Sequence, residues 1–108
     1  MKIARGNEIK AVEIQKGLTR KILGYGDELM TCEFVFEEGV ELAAHSHFNA
    51  QTSYVVSDSL EFHINGEVIV LNAGDNIFLP PDLPHGVKSL SSAKVIDTFS
   101  PKRDDFLK

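Results

Sequence analysis

Apolar and polar residues alternate along most of this chain with a period of two, in short runs broken by turn-forming residues. The runs AVEI, RKIL, LMTCEFVF, QTSYVV, LEFHI, EVIVL, NIFL and AKVIDTF are rich in β-branched and aromatic residues, and each predicts a strand. Turn signals separate them at close intervals: Gly24-Tyr25-Gly26-Asp27, Glu38-Gly39, Asn72-Ala73-Gly74-Asp75 and Pro80-Pro81-Asp82. Asn65-Gly66, between LEFHI and EVIVL, predicts a type I′ hairpin, because both central residues of that turn need positive φ. No long amphipathic helical window and no internal repeat is present, and the tail PKRDDFLK reads as a helical turn or an arm. Many short strands in 108 residues predict one all-β domain, a sandwich or barrel.

Alternation also assigns faces, since residues i and i+2 of a strand point the same way. Met30, Cys32, Phe34 and Phe36 share one side of LMTCEFVF, so Cys32 reads as a buried, inert thiol rather than a nucleophile. It is the only cysteine, which rules out an intrachain disulfide and fits a reducing compartment. In LEFHI the apolar side is Leu60, Phe62 and Ile64, which leaves His63 as a solvated or interface histidine. In AKVIDTF, Val95, Asp97 and Phe99 share a face. A carboxylate between two apolar neighbours is costly unless paired or hydrogen-bonded, so Asp97 asks for a reason.

Charge narrows the partners. The chain is 43% hydrophobic and 25% charged, with a formal charge of −5 and a pI near 5.3. No basic cluster exists to neutralise phosphates, which argues against nucleic acid and against an anionic membrane surface. The N-terminus MKIARGNEIK lacks the apolar stretch of a signal peptide and no segment approaches membrane-spanning length, so a cytoplasmic protein is expected.

The candidate chemistry lies in HSHFNAQ, residues 45–51, and LPPDLPHGV, residues 79–87. His45 and His47 are one residue apart, and on one strand face two imidazoles can grip one cation. His85 follows Pro80-Pro81 and Pro84, whose fixed φ would set its backbone before an ion arrives. Three imidazoles and the carbonyl oxygen of Gln51 make a four-ligand set with positions left for water or substrate. All four donors are neutral, so a divalent ion would keep its full charge and favour an anionic ligand. Imidazoles suit zinc, nickel, iron or copper, with manganese also possible.

These residues fall into two spaced motifs. Gly39 is followed after five residues by His45-Ser46-His47 and, three residues on, Gln51; Gly74 is followed after five by Pro80, then Asp82 and His85. The pattern resembles the signature motifs of the cupins. That resemblance implies an all-β, cupin-type double-stranded β-helix (a small jelly-roll barrel) over residues 1–108, holding a divalent metal inside. Residues 1–36 would supply N-terminal strands, 39–85 the barrel motifs, and 92–108 the closing strand and tail. Gln51 stands where a glutamate is usual, and Asp58 and Asp82 where glycine is usual. Asp tolerates left-handed backbone better than most residues, so both turns remain feasible.

The C-terminal run from Asp97 to Phe106 is similar to the closing segment of small cupins of pectin and alginate breakdown. Those proteins open a 4,5-unsaturated uronate monosaccharide to its linear keto form. The likeness implies a three-histidine, one-glutamine metal set, with Asp97, Phe99 and Arg103 lining the pocket. Arg103 would fork a sugar carboxylate, Asp97 would move protons and Phe99 would wall the ring. Asp97 and Arg103 could instead simply pair and pin the tail. Lys102, Asp104 and Asp105 read as a solvated charge cluster, Phe106 as an anchor for the tail, in a groove or on a second subunit. Tyr54 and Phe48 read as core packing or loop anchors. Two other functions stay open, a three-histidine dioxygenase and a non-catalytic module binding a small anion or sugar. A homodimer is expected, because AVEI has no other obvious strand to dock on.

Overall fold

The computed structural model describes residues 1–108. Ten strands follow one another: β1 (Val12–Gln15), β2 (Leu18–Gly26), β3 (Leu29–Phe36), β4 (Glu41–His45), β5 (Ala50–Ser57), β6 (Ser59–Ile64), β7 (Glu67–Asn72), β8 (Asn76–Leu79), β9 (His85–Ser89) and β10 (Ala93–Ser100). Short 3₁₀ turns cover Gly6–Glu8 and Asp104–Leu107. A six-stranded sheet ordered β1-β2-β3-β10-β5-β8 faces a four-stranded sheet ordered β4-β9-β6-β7, and every pairing is antiparallel. This is a jelly-roll, the fold that the cupin resemblance implies and one of the all-β forms that the strand pattern predicts.

The alternation in β3, β6 and β10 sends its apolar parity inward. Met30, Cys32, Phe34 and Phe36 from β3, Leu60, Phe62 and Ile64 from β6, and Val95 and Phe99 from β10 form one buried cluster. Burial pushes the Cys32 thiol up to about 12, so it is protonated and inert at neutral pH. His63 sits on the outer face and hydrogen-bonds Glu61 at 2.9 Å.

Three turns confirm their sequence signals. Asn65 and Gly66 carry φ of +52° and +78°, and Asp58 and Asp82 take +63° and +66°, the left-handed backbone expected where glycine is replaced. Asp82 donates its backbone N–H to the carbonyl of His47 at 2.8 Å, so the turn before His85 is tied to the loop that carries His47.

Other expectations are corrected. β1 pairs with β2 of its own chain, so the AVEI segment has a docking place without a second subunit. Phe106 does anchor the tail as expected, and it does so on its own barrel, with ring centroids 5.6 Å from Phe99 and 6.4 Å from Phe34. Tyr54 and Phe48 are exposed rather than packed in the core. β4 and β9 were not evident as strands at all. β4 contains a bulge between Leu42 and His45, which breaks the alternation that would have marked it.

Candidate metal centre

That bulge sets the geometry of the site. Leu42 pairs with Val87 and His45 with His85, so β4 spends three residues where β9 spends two. Without it, Leu42 and His45 would face opposite sides of the sheet; with it, both line the interior. Gly86 allows the strands to meet here. A Cβ on it would lie 3.3 Å from the backbone of both Ala44 and Leu42, tighter than a side chain tolerates without displacement.

His47 is not on a strand, contrary to the i, i+2 reasoning; it lies in the loop joining β4 to β5. The loop nevertheless folds it back. Ring centroids are 4.5 Å apart for His45 and His85, 5.3 Å for His47 and His85, and 5.8 Å for His45 and His47. One donor nitrogen from each of the three can lie within 4.8 Å of the others.

The rings are held in one orientation. The Nδ1 of His45 contacts the carbonyl of Ala43 at 3.1 Å, that of His47 the carbonyl of Asn49 at 3.0 Å, and that of His85 the carbonyl of Leu83 at 2.9 Å. A carbonyl only accepts, so the proton sits on each Nδ1 and donates, which leaves every Nε2 lone pair free. Burial lowers the pKa of both His47 and His85, with the Arg103 charge adding to the shift, so both are neutral near pH 7.

Gln51, from β5, brings an amide oxygen up to the three histidines. Its Nε2 donates to Ser53 Oγ at 2.9 Å, which turns Oε1 toward His47 Nε2, also at 2.9 Å. Two acceptors then face each other at hydrogen-bond distance with no proton between them. Ligand atoms about 2.0–2.1 Å from one metal and at right angles would be separated by about 2.9 Å. The donor chemistry and spacing thus fit a shared cation.

A cavity of about 380 Å³ opens beside this cluster, of a size suited to a small molecule. His45, Gln51, His85, Asp97, Phe99 and Arg103 line it, over an apolar floor that includes Phe34, Phe62 and Val87. Asp97 pairs in register with Ser53, and Phe99 with Gln51, so β10 lays its acid beside the strand that carries Gln51. Asp97 Oδ1 is buried without a hydrogen-bond partner. Burial pushes its carboxyl up to about 7, and Ser53, Arg103 and Gln51 offset this only in part. Asp97 and Arg103 do not pair. Arg103 instead binds Asp105, Nε to Oδ1 at 3.0 Å and Nη2 to Oδ2 at 2.9 Å. Asp105 is therefore no bystander in a solvated cluster, whereas Lys102 does join exposed ion pairs with Asp27 and Asp104.

Asn49 is a second residue that spacing gave no reason to single out. It is buried, and its Nδ2 donates to the carbonyls of Pro101 at 2.7 Å and Lys102 at 3.2 Å. Its own carbonyl orients His47. One residue thereby joins the histidine loop to the tail bearing Arg103. Its only sequence signal is a polar amide between two motif positions.

The two-sheet jelly-roll with clustered histidines inside defines the class, and the chain belongs to the cupins: the cupin domain family matches residues 32–99. Over 97 residues the chain is 41% identical to the pectin degradation protein KdgF of Dickeya dadantii, covering 88% of each. Its structure is similar to that of KdgF from Halomonas sp., with TM-score 0.93 and 32% identity over 97% of this chain and 99% of that one. It is equally similar to an RmlC-like cupin from Shewanella frigidimarina, with TM-score 0.93 and 38% identity over 98% and 96% of the two chains. No helix of the chain is long and apolar enough to cross a membrane.

Proposed function

We propose that this cupin is a metal-dependent enzyme that converts a 4,5-unsaturated uronate monosaccharide to its linear keto form, with His45, His47, Gln51 and His85 as the metal ligands. The reading is supported by the kinship to pectin degradation proteins. It rests above all on one observation: a carboxyl raised to about 7, with an unpartnered oxygen, on the wall of the cavity that the histidine cluster opens into.

The chemistry asks for little more than a proton moved between two sites. Opening the ring takes the proton from the C1 hydroxyl, breaks the C1–O5 bond as C1=O forms, makes C5=O from the enol ether oxygen, and puts a proton on C4. A single group that gives up and takes back protons near neutral pH can serve both ends, and Asp97 is poised there. Arg103 holds the sugar carboxylate by a two-point fork, and Phe99 presents an apolar wall to the ring. A divalent transition ion in the four-ligand site would supply Lewis-acid polarisation of a substrate oxygen. With four neutral ligands the site keeps a net positive field that suits an anionic sugar.

Unsaturated galacturonate mixed with metal-loaded protein tests this. Loss of the conjugated alkene absorbance, faster than in buffer and abolished by a chelator, is expected. No acceleration by the loaded protein overturns it.

A further inference from the structure

The guanidinium of Arg103 is the cavity's cation, yet its Nε–Nη2 edge is already occupied by the Asp105 carboxylate. A guanidinium has a second two-point edge, Nη1–Nη2, and no protein group binds Nη1. The side chain is only 10% exposed, and the charge lies 4.2 Å from the Phe106 ring centroid and 5.1 Å from that of Phe99. Asp105 is itself mostly exposed and sits in the first turn of the 3₁₀ segment Asp104–Leu107, whose Phe106 wedges against the barrel. The arginine is thus fixed on its side edge by a carboxylate from the tail and on its face by two aromatic rings.

We infer that Asp105 is a positioning residue, which clamps Arg103 so that the guanidinium offers its outer edge to the carboxylate of an anionic sugar. This rests on the proposed function and extends it to a residue that does not touch substrate. An arginine left free would lose rotamer entropy on binding, and freezing one long side chain in advance is worth roughly two- to tenfold in affinity. The Arg103–Asp105 pair also explains how a cation stays in an apolar-walled cavity before a ligand arrives, since an unpaired buried charge is costly.

The probe is D-galacturonate, a saturated uronate that cannot react, titrated calorimetrically into metal-loaded wild type, Asp105→Asn, Asp105→Glu and Arg103→Ala. Asp105→Asn should weaken binding several-fold while staying folded at the assay temperature, its thermal unfolding midpoint lowered by loss of the ion pair, and Asp105→Glu should restore most of the affinity. In turnover of the unsaturated sugar, Asp105→Asn should raise KM more than it lowers kcat. Equal affinity of Asp105→Asn and wild type, with Arg103→Ala weakened, overturns the clamp but leaves the role of Arg103 intact. Tighter binding by Asp105→Asn overturns it too, because Asp105 would then be competing with the ligand. An Asp105→Glu no better than Asp105→Asn also counts against it. Undiminished binding by Arg103→Ala overturns instead the assignment of Arg103 to the sugar carboxylate.

Discussion

Asp97 shows how one residue's burial can be turned into chemistry. On β10 it occupies an inward position between Val95 and Phe99, and its Oδ1 has no partner. Desolvation favours the neutral carboxyl, and the opposing pull of Ser53, Arg103 and Gln51 is too weak to restore an ordinary acid. Asp97→Asn keeps the shape and fixes the neutral state but cannot exchange a proton. Turnover of the unsaturated sugar should fall by roughly 10²-fold or more, the usual contribution of a general acid–base, with metal content by elemental analysis unchanged. The same shift predicts a pH dependence of stability. A carboxyl raised from 3.8 to about 7 by folding binds its proton more tightly in the folded state. Its contribution is therefore fully present below about pH 4 and is lost as pH rises through 7. His47 and His85 act oppositely: their lowered values make stability rise with pH until the unfolded histidines have lost their protons near 6.5. Urea unfolding of the metal-free protein between pH 4 and 8 separates the two. The stability difference, wild type minus Asp97→Asn, should decline steadily as pH rises, and a flat difference would refute the raised value.

Between elements, the sequence and the structure agree where a local rule was obeyed and part where one was broken. β3, β6 and β10 keep the period of two, so their inward residues could be read directly. Asp58, Asn65 and Asp82 were legible because left-handed backbone has a short list of tolerated residues. β4 was not legible, since its bulge breaks the period of two, and β9 begins at His85 right after a proline-rich turn. The histidines were found by motif spacing although their strands were missed. What no spacing shows is how the tail is moored. Asn49 does this from the middle of the sequence, donating to two carbonyls of the chain that leads to Arg103. Asn49→Ala would leave both carbonyls unpartnered in a part-buried setting, at a cost of about 1 kcal/mol. Denaturant unfolding should report that loss, and KM for the anionic sugar should rise as Arg103 loosens. A change under about 0.5 kcal/mol, the range of ordinary surface substitutions, would show that water replaces the amide.

For the molecule as a whole, the position of the four candidate ligands matters more than their number. His45 and His85 stand on β4 and β9 of the four-stranded sheet, Gln51 on β5 of the six-stranded sheet, and His47 in the loop between β4 and β5. An ion held by all four would tie the sheets together across the mouth of the cavity. The unfolded chain has no such convergence, so binding stabilises the folded state by RT ln(1 + [L]/Kd), about 2.7 kcal/mol at a hundredfold excess over Kd. Removing metal with a chelator should then lower the thermal midpoint by several degrees, and returning zinc, nickel or manganese should restore it. Protons compete for the same lone pairs, because only neutral imidazole coordinates. The metal-dependent rise should be full at pH 7.5 and gone by about pH 5, below the ordinary histidine value of ~6.5. Burial of His47 and His85 moves the loss toward the lower end of that window. His85→Ala should abolish the rise at every pH while leaving β9 paired to β4 and β6 through its backbone. A rise that persists in His85→Ala, or that is as large at pH 5 as at pH 7.5, would place the ion somewhere other than among these imidazoles.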